Sequence, residues 1–442
     1  MEMVMKRRDF LKAAGVGMAG VSLGTPLGCG QRGLVEARRQ TPGPNEKIVM
    51  GIIGVGGIGK AHLNWFSGFD DVEVVALCDV DRNSLEKAGK ELGEKRPGSK
   101  PDLYGDFRRV LDRKDIHAVS VATPDHWHAL ITMHAFLAGK DVYCEKPLSY
   151  GLSEGRAMLD AQKRTGRVFQ LGTQIHAGDN YHRVVELVRS GALGPIHTVR
   201  VWKTGGAPFL KNLPNQDPPK HLDWNMWLGP RPMRPYNLNL APFQFRFFWD
   251  FSGGKYADFW CHISDIPFWA LELGSPLTVE ARGKLNENGM AETHEWIDVD
   301  FEFKNLKYHW TTVPPDVPGA EGGIGACFMG DRGHLVTNYG SRKIFINGER
   351  VEGDDLLEVG RSVPRSPGHQ RNFLDCVRSR KLTESNLAYA HNMTIPMHLG
   401  LISFWTGRKL RWNGRSEQFV RDKEANALLD KTYRQPWSLP RV

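Results

Sequence analysis

Short apolar runs alternate with helix-length stretches over residues 47–167 of the 442-residue chain. The apolar runs predict strands at 48–53, 72–78, 118–122 and 142–144. The stretches between and after them predict helices at 58–66, 83–92, 128–138 and 153–164. Short apolar strands separated by helices are typical of a parallel sheet with helices on both faces. We therefore expect a doubly wound α/β domain over residues 47–167.

The pattern changes from residue 168 onward. Apolar and polar residues alternate at 197–203, 297–303 and 307–313, which indicates half-exposed strands of an antiparallel sheet. Residues 204–251 are rich in Pro, Asn and aromatic residues and are long for a connection, so we expect a functional loop there. Helices are predicted at 370–380 and 393–410. Residues 168–442 are expected to form a second, α+β domain.

Residues 1–35 are predicted to be a leader rather than part of the fold. Basic residues open it, a Gly- and Ala-rich apolar stretch follows, and the sequence Arg7-Arg8-Asp9-Phe10-Leu11-Lys12 resembles a twin-arginine export signal. Lys6 stands where that signal usually has Ser or Thr. The resemblance implies transfer of the folded protein by the twin-arginine export machinery to the periplasm or cell envelope. The alternative is an amphipathic or disordered tail.

Two features follow the leader. The sequence Leu27-Gly28-Cys29 is similar to a lipoprotein cleavage box, but Pro26 stands where Leu is usual, so a lipid anchor at Cys29 is the weaker expectation. Residues 36–46 are polar, contain two prolines and are predicted to be a linker. No later window is apolar for long enough to predict a membrane-spanning helix.

Charge and cysteine content exclude two classes of function. The formal net charge is +8, of which three charges belong to residues 1–35, and the remaining Lys and Arg residues are scattered among acidic residues. This distribution does not predict nucleic-acid binding. The six cysteines show neither a Cys-x-x-Cys pair nor zinc-ligand spacing, so no metal site is predicted from them.

A glycine-rich fingerprint directly follows the first predicted strand. In Gly54-Val55-Gly56-Gly57-Ile58-Gly59 the first glycine suits a tight turn, the second admits a pyrophosphate, and the third allows close helix packing. Gly54, Gly56, Gly57, Ile58 and Gly59 are therefore candidate dinucleotide contacts. Asp79, at the end of the second strand, is placed to accept hydrogen bonds from a ribose, which favours NAD; the nearby Arg82 keeps NADP as an alternative.

Together with these glycines, several further motifs resemble the Gfo/Idh/MocA oxidoreductases over nearly the whole chain from residue 47. They are Val121-Ala122-Thr123-Pro124-Asp125 with His128, Glu145-Lys146-Pro147, and Gly253-Gly254 followed by Asp258, His262 and Asp265. The resemblance implies a Rossmann domain over 47–167. It implies a C-terminal domain with a large, mostly antiparallel open sheet, through which homo-oligomers such as dimers or tetramers often form.

The resemblance also implies roles for individual residues. Lys146, Asp258 and His262 match the catalytic lysine, the substrate-binding acid and the general acid/base of the family. The expected cofactor contacts beyond the fingerprint are Asp79, Thr123, Pro124, His128, Glu145 and Lys146. The expected substrate contacts are Lys146, Gln174, His176, Asp258, Trp260 and His262. Many relatives have Gly where this chain has Trp260, which is expected to narrow the pocket or stack on a sugar, or else to pack against the domain interface.

Elementary chemistry agrees with these roles. Removal of a hydride from a secondary alcohol needs a base for the hydroxyl proton and benefits from a nearby ammonium group. Asp258 and His262 are four residues apart, so a helix places both on one face. A structural salt bridge is the alternative role for this pair. A metal site that adds Asp265 lacks a recognisable fourth ligand.

These observations predict an NAD(P)-dependent oxidoreductase acting on a hydroxyl or carbonyl group of a small carbohydrate or polyol. Export would separate the enzyme from the cellular NAD pool, so we expect a tightly bound cofactor. One alternative is a redox-neutral NAD-dependent glycoside hydrolase or epimerase. Others are a non-catalytic sugar-binding protein on a dehydrogenase fold and a cytoplasmic dehydrogenase with a leader-like tail.

Overall fold

The computed structural model describes residues 41–43, 45–287, 289–353 and 357–441. The predicted leader at 1–35, with its twin-arginine sequence and Cys29, lies outside the described residues, as does the linker at 36–40. Within the described ranges, no helix has both the length and the apolar character needed to cross a bilayer.

The first domain contains six parallel strands and five helices. Its strands are β1 (Ile48–Ile53), β2 (Val72–Cys78), β3 (Asp102–Tyr104), β4 (Ala118–Val121), β5 (Asp141–Cys144) and β6 (Phe169–Leu171). Its helices are α1 (Gly57–Phe66), α2 (Arg82–Lys95), α3 (Phe107–Leu111), α4 (Asp125–Leu137) and α5 (Leu152–Thr165). The strand order is β3-β2-β1-β4-β5-β6. This is the predicted doubly wound sheet, and the fold class is confirmed.

The first domain also shows what the apolar pattern could not predict. Strands β1, β4 and β5 are almost wholly buried, as helices on both faces require. Strand β3 has three residues, of which two are exposed, and α3 spans a single turn. Both are too short to produce a recognisable pattern of apolar positions in the sequence. Strand β6 pairs with β5, and the sheet therefore ends at Leu171 rather than at the expected domain boundary of residue 167.

The second domain is built on a ten-stranded sheet of order β14-β13-β12-β11-β7-β10-β9-β8-β15-β16. The strands are β7 (Ile196–Lys203), β8 (Thr278–Leu285), β9 (His294–Phe303), β10 (Leu306–Thr311), β11 (Ile324–Gly330), β12 (Gly333–Thr337), β13 (Arg342–Ile346), β14 (Glu349–Val351), β15 (Leu410–Asn413) and β16 (Gln418–Phe419). Only the β7–β10 pair is parallel among these described strands. The expected large, mostly antiparallel sheet is confirmed.

The helices of the second domain pack on this sheet, on one another and on the first domain. They are α6 (Asp179–Arg189), α7 (Trp224–Leu228), α8 (Gly254–Ile263), α9 (Asp265–Leu271), α10 (His369–Ser379), α11 (Leu387–Thr406) and α12 (Lys423–Ala427). Helix α10 packs Phe373 against Phe66 and Tyr143 of the first domain. Near the carboxyl terminus, Trp437 packs on the Trp127 ring.

Helix α11 differs from the predicted helix at 393–410. It begins six residues earlier because the Asn386 side chain accepts a hydrogen bond from the Tyr389 backbone N–H and caps the first turn. It ends at Thr406 because Gly407 adopts a left-handed conformation with φ of 70°. Leu410 consequently begins strand β15.

Candidate active site

The glycine-rich segment forms a tight turn between β1 and α1. Gly54 has φ of +84°, and a Cβ atom there would lie 2.6 Å from the carbonyl oxygen of Ala122. A Cβ on Gly59 would lie 2.0 Å from the carbonyl oxygen of Gly54. Side chains are therefore excluded at both positions, which brings the first turn of α1 against the strand ends.

Asp79, at the carboxyl end of β2, holds this turn in place. Its carboxylate accepts backbone N–H hydrogen bonds from Val55 at 2.9 Å, Gly56 at 3.2 Å and Asp81 at 3.0 Å. Burial raises the pKa of Asp79, and the three backbone donors oppose that rise. The carboxylate borders the cleft beside the turn. The predicted contact between Asp79 and a ribose stays a prediction.

A cleft runs along the glycine-rich turn; we call it the cofactor cleft. On the first-domain side it is lined by predicted cofactor residues, namely Gly54, Gly56, Gly57, Ile58, Asp79, Thr123 and Pro124. Its opposite wall is formed by residues 204–251, which we call the strap. Strap residues in this wall include His221, Leu222, Trp227, Tyr236, Phe243, Phe245 and Arg246. The loop that sequence composition singled out therefore encloses the cleft.

Backbone hydrogen bonds anchor the strap to the first domain. The backbone N–H of Arg82 donates to the His221 carbonyl at 2.9 Å, and that of Asp223 donates to the Val80 carbonyl at 2.9 Å. The Arg82 guanidinium also donates to the Lys220 carbonyl at 3.0 Å. Arg82, which sequence analysis considered for a phosphate, is thus turned toward the strap.

A second cavity of about 490 Å³ adjoins the cofactor cleft; we call it the substrate pocket. The two cavities share the side chains of Ile58, Thr123, Phe245 and Arg246. The predicted residues Glu145, Lys146, Gln174, Asp258 and His262 all line this pocket. A cavity of this size accommodates a small ligand.

Lys146 and Asp258 form the central ion pair of the pocket. Lys146 follows β5 in the first domain, and its Nζ lies 2.6 Å from Oδ1 of Asp258 on α8. Burial alone would lower the pKa of Lys146, but the carboxylate of Asp258 raises it above the ordinary value. Burial likewise opposes ionisation of Asp258, yet Lys146 and Arg246 lower its pKa to about 2. Both groups are therefore charged at neutral pH.

His262 lies one helical turn after Asp258 and faces the same pocket. Its ring contacts Phe259 and Tyr339 at centroid distances of 5.3 and 6.1 Å. Burial, followed by the charge of Lys146, lowers the pKa of His262 to about 4. The imidazole is therefore neutral at physiological pH and able to accept a proton from a pocket ligand.

Glu145 is held by a buried histidine that sequence analysis did not identify. His62 on α1 lies 2.9 Å from Oε1 of Glu145 through Nε2 and 2.6 Å from the Ser120 hydroxyl through Nδ1. Burial raises the pKa of Glu145, but the hydrogen bond from His62 together with the charges of His62, Lys146 and His128 leaves that pKa lowered. Helix α1 is thereby connected to the wall of the substrate pocket.

Three predicted ligand contacts are corrected by the structure. His128 is buried and bonds to the carbonyl groups of Pro147 and Thr123, so it fixes two loops instead of lining a cavity. His176 is buried, with Nε2 2.9 Å from Oδ1 of Asp265 and its ring stacked on Trp269.

Trp260 is the third correction, because the expectation that it narrows the pocket or stacks on a sugar is wrong for this arrangement. The side chain has no solvent exposure, and its indole N–H donates to the Met393 carbonyl at 2.8 Å. Its ring packs on Trp310 of the large sheet. The alternative prediction, packing at the domain interface, is not what these contacts show, because Trp260 packs inside the second domain.

Arg246, Tyr181 and Tyr339 line the pocket although sequence analysis named none of them. Arg246 comes from the strap, where composition indicated a functional segment but singled out no cation. Tyr339 lies in the turn after β12, and Tyr181 is on α6. These residues reach the pocket through tertiary contacts, which no local sequence pattern reports.

The chain matches two family profiles. Residues 48–173 match the Gfo/Idh/MocA profile described as "Oxidoreductase family, NAD-binding Rossmann fold". Residues 178–305 and 332–439 match the profile described as "Oxidoreductase family, C-terminal alpha/beta domain". The two profiles together cover most of the chain.

Among curated proteins, the chain is similar to a "Glycosyl hydrolase family 109 protein" of Shewanella pealeana, with 28% identity over 207 residues, which are 44% of this chain and 45% of the relative. It is 30% identical over 205 residues to an "Alpha-N-acetylgalactosaminidase" of Shewanella oneidensis, covering 43% of this chain and 44% of the relative. The matched region thus spans less than half the length of these relatives.

Solved structures share the fold. The WlbA dehydrogenase from Bordetella pertussis in complex with NADH and UDP-GlcNAcA has a TM-score of 0.64 at 18% identity and covers 84% of this chain and 99% of its own. The aldose-aldose oxidoreductase from Caulobacter crescentus complexed with glycerol has a TM-score of 0.62 at 18% identity, with coverages of 83% and 100%. At these identities the likeness establishes the fold alone.

Asp79 provides the first test of the cofactor cleft. We expect Asp79→Asn to weaken NAD binding by about 10- to 100-fold, because a charged acceptor at the cleft is lost. NADP binding should weaken less, since the same carboxylate repels a 2′-phosphate. Titration calorimetry on nucleotide-free protein measures both affinities. Asp70→Asn, which removes an exposed carboxylate outside the cofactor cleft, is the control, and an unchanged NAD-to-NADP preference in Asp79→Asn contradicts the assignment.

Proposed function

We propose, from the premise that this chain belongs to the Gfo/Idh/MocA oxidoreductase family, that it transfers a hydride between NAD and a secondary hydroxyl or carbonyl group of a carbohydrate. The observation that carries the proposal is the meeting of Lys146, Asp258 and His262 in a pocket that shares a wall with the cofactor cleft. His262 is then the base, Lys146 the ammonium group, and Asp258 the hydrogen-bond acceptor for a substrate hydroxyl. All three are adjacent to the place where a nicotinamide cofactor is expected.

The cofactor cleft fits a dinucleotide. Gly56 and Gly57 place no side chain between the backbone of the turn and the cleft, and the amino terminus of α1 favours an anion such as a pyrophosphate. Asp79 borders the same cleft, and Thr123 and Pro124 line it near the substrate pocket. When bound, NAD supplies the acceptor for a hydride from the carbon that bears the hydroxyl.

The side chains of the pocket account for the proton and the developing charge. Neutral His262 accepts the hydroxyl proton, because its pKa of about 4 keeps a ring nitrogen available. The ammonium group of Lys146 stabilises the alkoxide that forms as the proton leaves. Asp258 keeps Lys146 charged, and its second carboxylate oxygen is available to a neighbouring sugar hydroxyl.

A carbohydrate is the substrate class that suits these groups. Sugars present several hydroxyl groups in fixed relative positions, and the pocket offers Gln174, Tyr339 and the charged residues as hydrogen-bonding partners. Relatives and structural neighbours named for sugars support this class. They include the alpha-N-acetylgalactosaminidase and a levoglucosan dehydrogenase with TM-score 0.59, 19% identity and coverages of 83% and 99%.

Cofactor retention is part of the same proposal. The predicted twin-arginine signal would send the folded protein to the periplasm or cell envelope, away from the cellular NAD pool. The strap encloses the cofactor cleft and is anchored at Val80 and Arg82, which supports slow release of a bound nucleotide. An enzyme of this kind must return the hydride in place or pass it to a second substrate.

A redox-neutral glycoside hydrolase is the second candidate, and the names of the curated relatives favour it. Oxidation of a ring hydroxyl to a ketone acidifies the neighbouring C–H bond. Loss of that proton expels the group attached one carbon further along, and water then adds to the resulting double bond. Return of the hydride to the ketone completes a net hydrolysis in which no oxidant is consumed.

Lys146 tests the hydride-transfer step. We expect Lys146→Ala to lower kcat/KM for sugar-dependent NAD reduction by about 100- to 1000-fold, because the stabilising cation is lost. NADH binding and the circular dichroism spectrum should be retained. Lys255→Ala, on the same helix as Asp258 but lining neither cavity, is the control. A rate in Lys146→Ala equal to that of the wild type contradicts the role of Lys146.

Product analysis separates the two candidates. Protein purified without added nucleotide is incubated with a panel of free sugars and glycosides, and the products are identified by mass spectrometry. The hydrolase candidate predicts released sugar and aglycone in many turnovers per protein. The dehydrogenase candidate predicts oxidised sugar in at most one turnover per bound NAD unless a carbonyl acceptor is supplied. Absence of both products from every substrate in the panel counts against the proposal.

A further inference from the structure

Arg246 brings a second cation to the central ion pair. It lies in a 3-10 turn of the strap, Gln244–Phe247, and its Nε is 3.2 Å from Oδ1 of Asp258. The same carboxylate oxygen is 2.6 Å from Nζ of Lys146. The Arg246 side chain is 31% exposed and borders both the cofactor cleft and the substrate pocket.

The fold does not require this second cation. Asp258 is only 15% exposed and needs a partner, but Lys146 already supplies a full opposite charge at hydrogen-bonding distance. Asp125 and Glu145 also line this pocket, so Arg246 adds a cation to a group of carboxylates of which Asp258 already has a charged partner. The ion pair between Arg246 and Asp258 therefore joins the strap to a carboxylate that has a partner without it.

Arg246 is also connected to the cofactor side of the strap. Its Nη1 donates a hydrogen bond to the Phe243 carbonyl at 3.0 Å. The Phe243 ring borders the cofactor cleft, is 61% exposed, and lies 3.5 Å from the position that a Cβ on Gly57 would take. The strap thus places Phe243 in the cofactor cleft beside the glycine-rich turn and Arg246 against Asp258 in the substrate pocket.

We propose that Arg246 is a positioning residue that couples closure of the strap over the cofactor to alignment of the Asp258 carboxylate. With the strap closed, Arg246 and Lys146 hold one carboxylate oxygen between them and leave the other directed to the substrate. With the strap displaced, Asp258 loses one of its two partners. The inference rests on the proposed function and adds to it a coupling between cofactor enclosure and assembly of the substrate pocket.

The charges around His262 predict the direction in which its pKa changes when Arg246 is removed. The cations Lys146 and Arg246 lower the pKa of His262, whereas the anions Asp258 and Glu145 raise it. The remaining ring neighbours, Phe259 and Tyr339, are uncharged at neutral pH. Removal of Arg246 therefore raises the pKa of His262, so that the base becomes protonated at a higher pH.

The test compares Arg246→Met, which removes the charge but keeps an unbranched side chain, with Arg246→Lys. We expect Arg246→Met to lower kcat/KM by about 10- to 100-fold through misalignment. The acidic limb of the profile of kcat/KM against pH should move to higher pH by about half to one pH unit in Arg246→Met. Arg246→Lys should return that limb most of the way to its wild-type position. Lys211→Met, which removes an exposed charge from the strap outside both cavities, should match the wild type.

A second measurement does not depend on turnover. Release of bound NADH, followed by fluorescence during displacement with excess NAD, should be several-fold faster in Arg246→Met and in Phe243→Ala than in the wild type. A uniform loss of activity in Arg246→Met, with an unmoved acidic limb and unchanged NADH release, overturns the coupling. If the wild type oxidises no sugar, the proposed function fails, and unchanged NADH release in Arg246→Met then overturns the coupling separately.

Discussion

The ion pair between Lys146 and Asp258 joins the two domains and forms the centre of the candidate site. Lys146 follows a strand of the parallel sheet, Asp258 belongs to a helix on the large sheet, and the two side chains are 10% and 15% exposed. Removal of one partner from such a buried pair typically costs about 3–5 kcal/mol, because the other charge is left without compensation. The substrate pocket therefore forms only when the two domains pack correctly against each other.

The cofactor cleft depends on the same junction. The glycine-rich turn makes one wall, but the strap that makes the other begins and ends in the second domain and reaches the ion pair through Arg246. Pairing with Val80 and Arg82 fixes the strap at the far end of the cleft. The contacts of the strap therefore border both the cofactor cleft and the substrate pocket.

Local sequence patterns predicted the parts of this site that local geometry determines. The need for glycine at position 59 comes from the Gly54 carbonyl five residues earlier, and the spacing of Asp258 and His262 is that of one helical turn. His176 and Trp260 were misassigned because proximity in sequence to a motif does not determine which way a side chain points. Only the tertiary structure shows that His176 bonds to Asp265 and that Trp260 donates a hydrogen bond to the Met393 carbonyl, inside the protein.

The central claim is that the pocket delivers a hydride from a sugar carbon to the cofactor in the adjoining cleft. Transfer of deuterium from a ring-deuterated sugar tests it most directly, with the nucleotide extracted from the protein after a single turnover and analysed by mass spectrometry. The account predicts NADH that carries one deuterium in the wild type and none in Lys146→Ala. Release of product from the deuterated sugar with no label passing through the nucleotide would contradict the account.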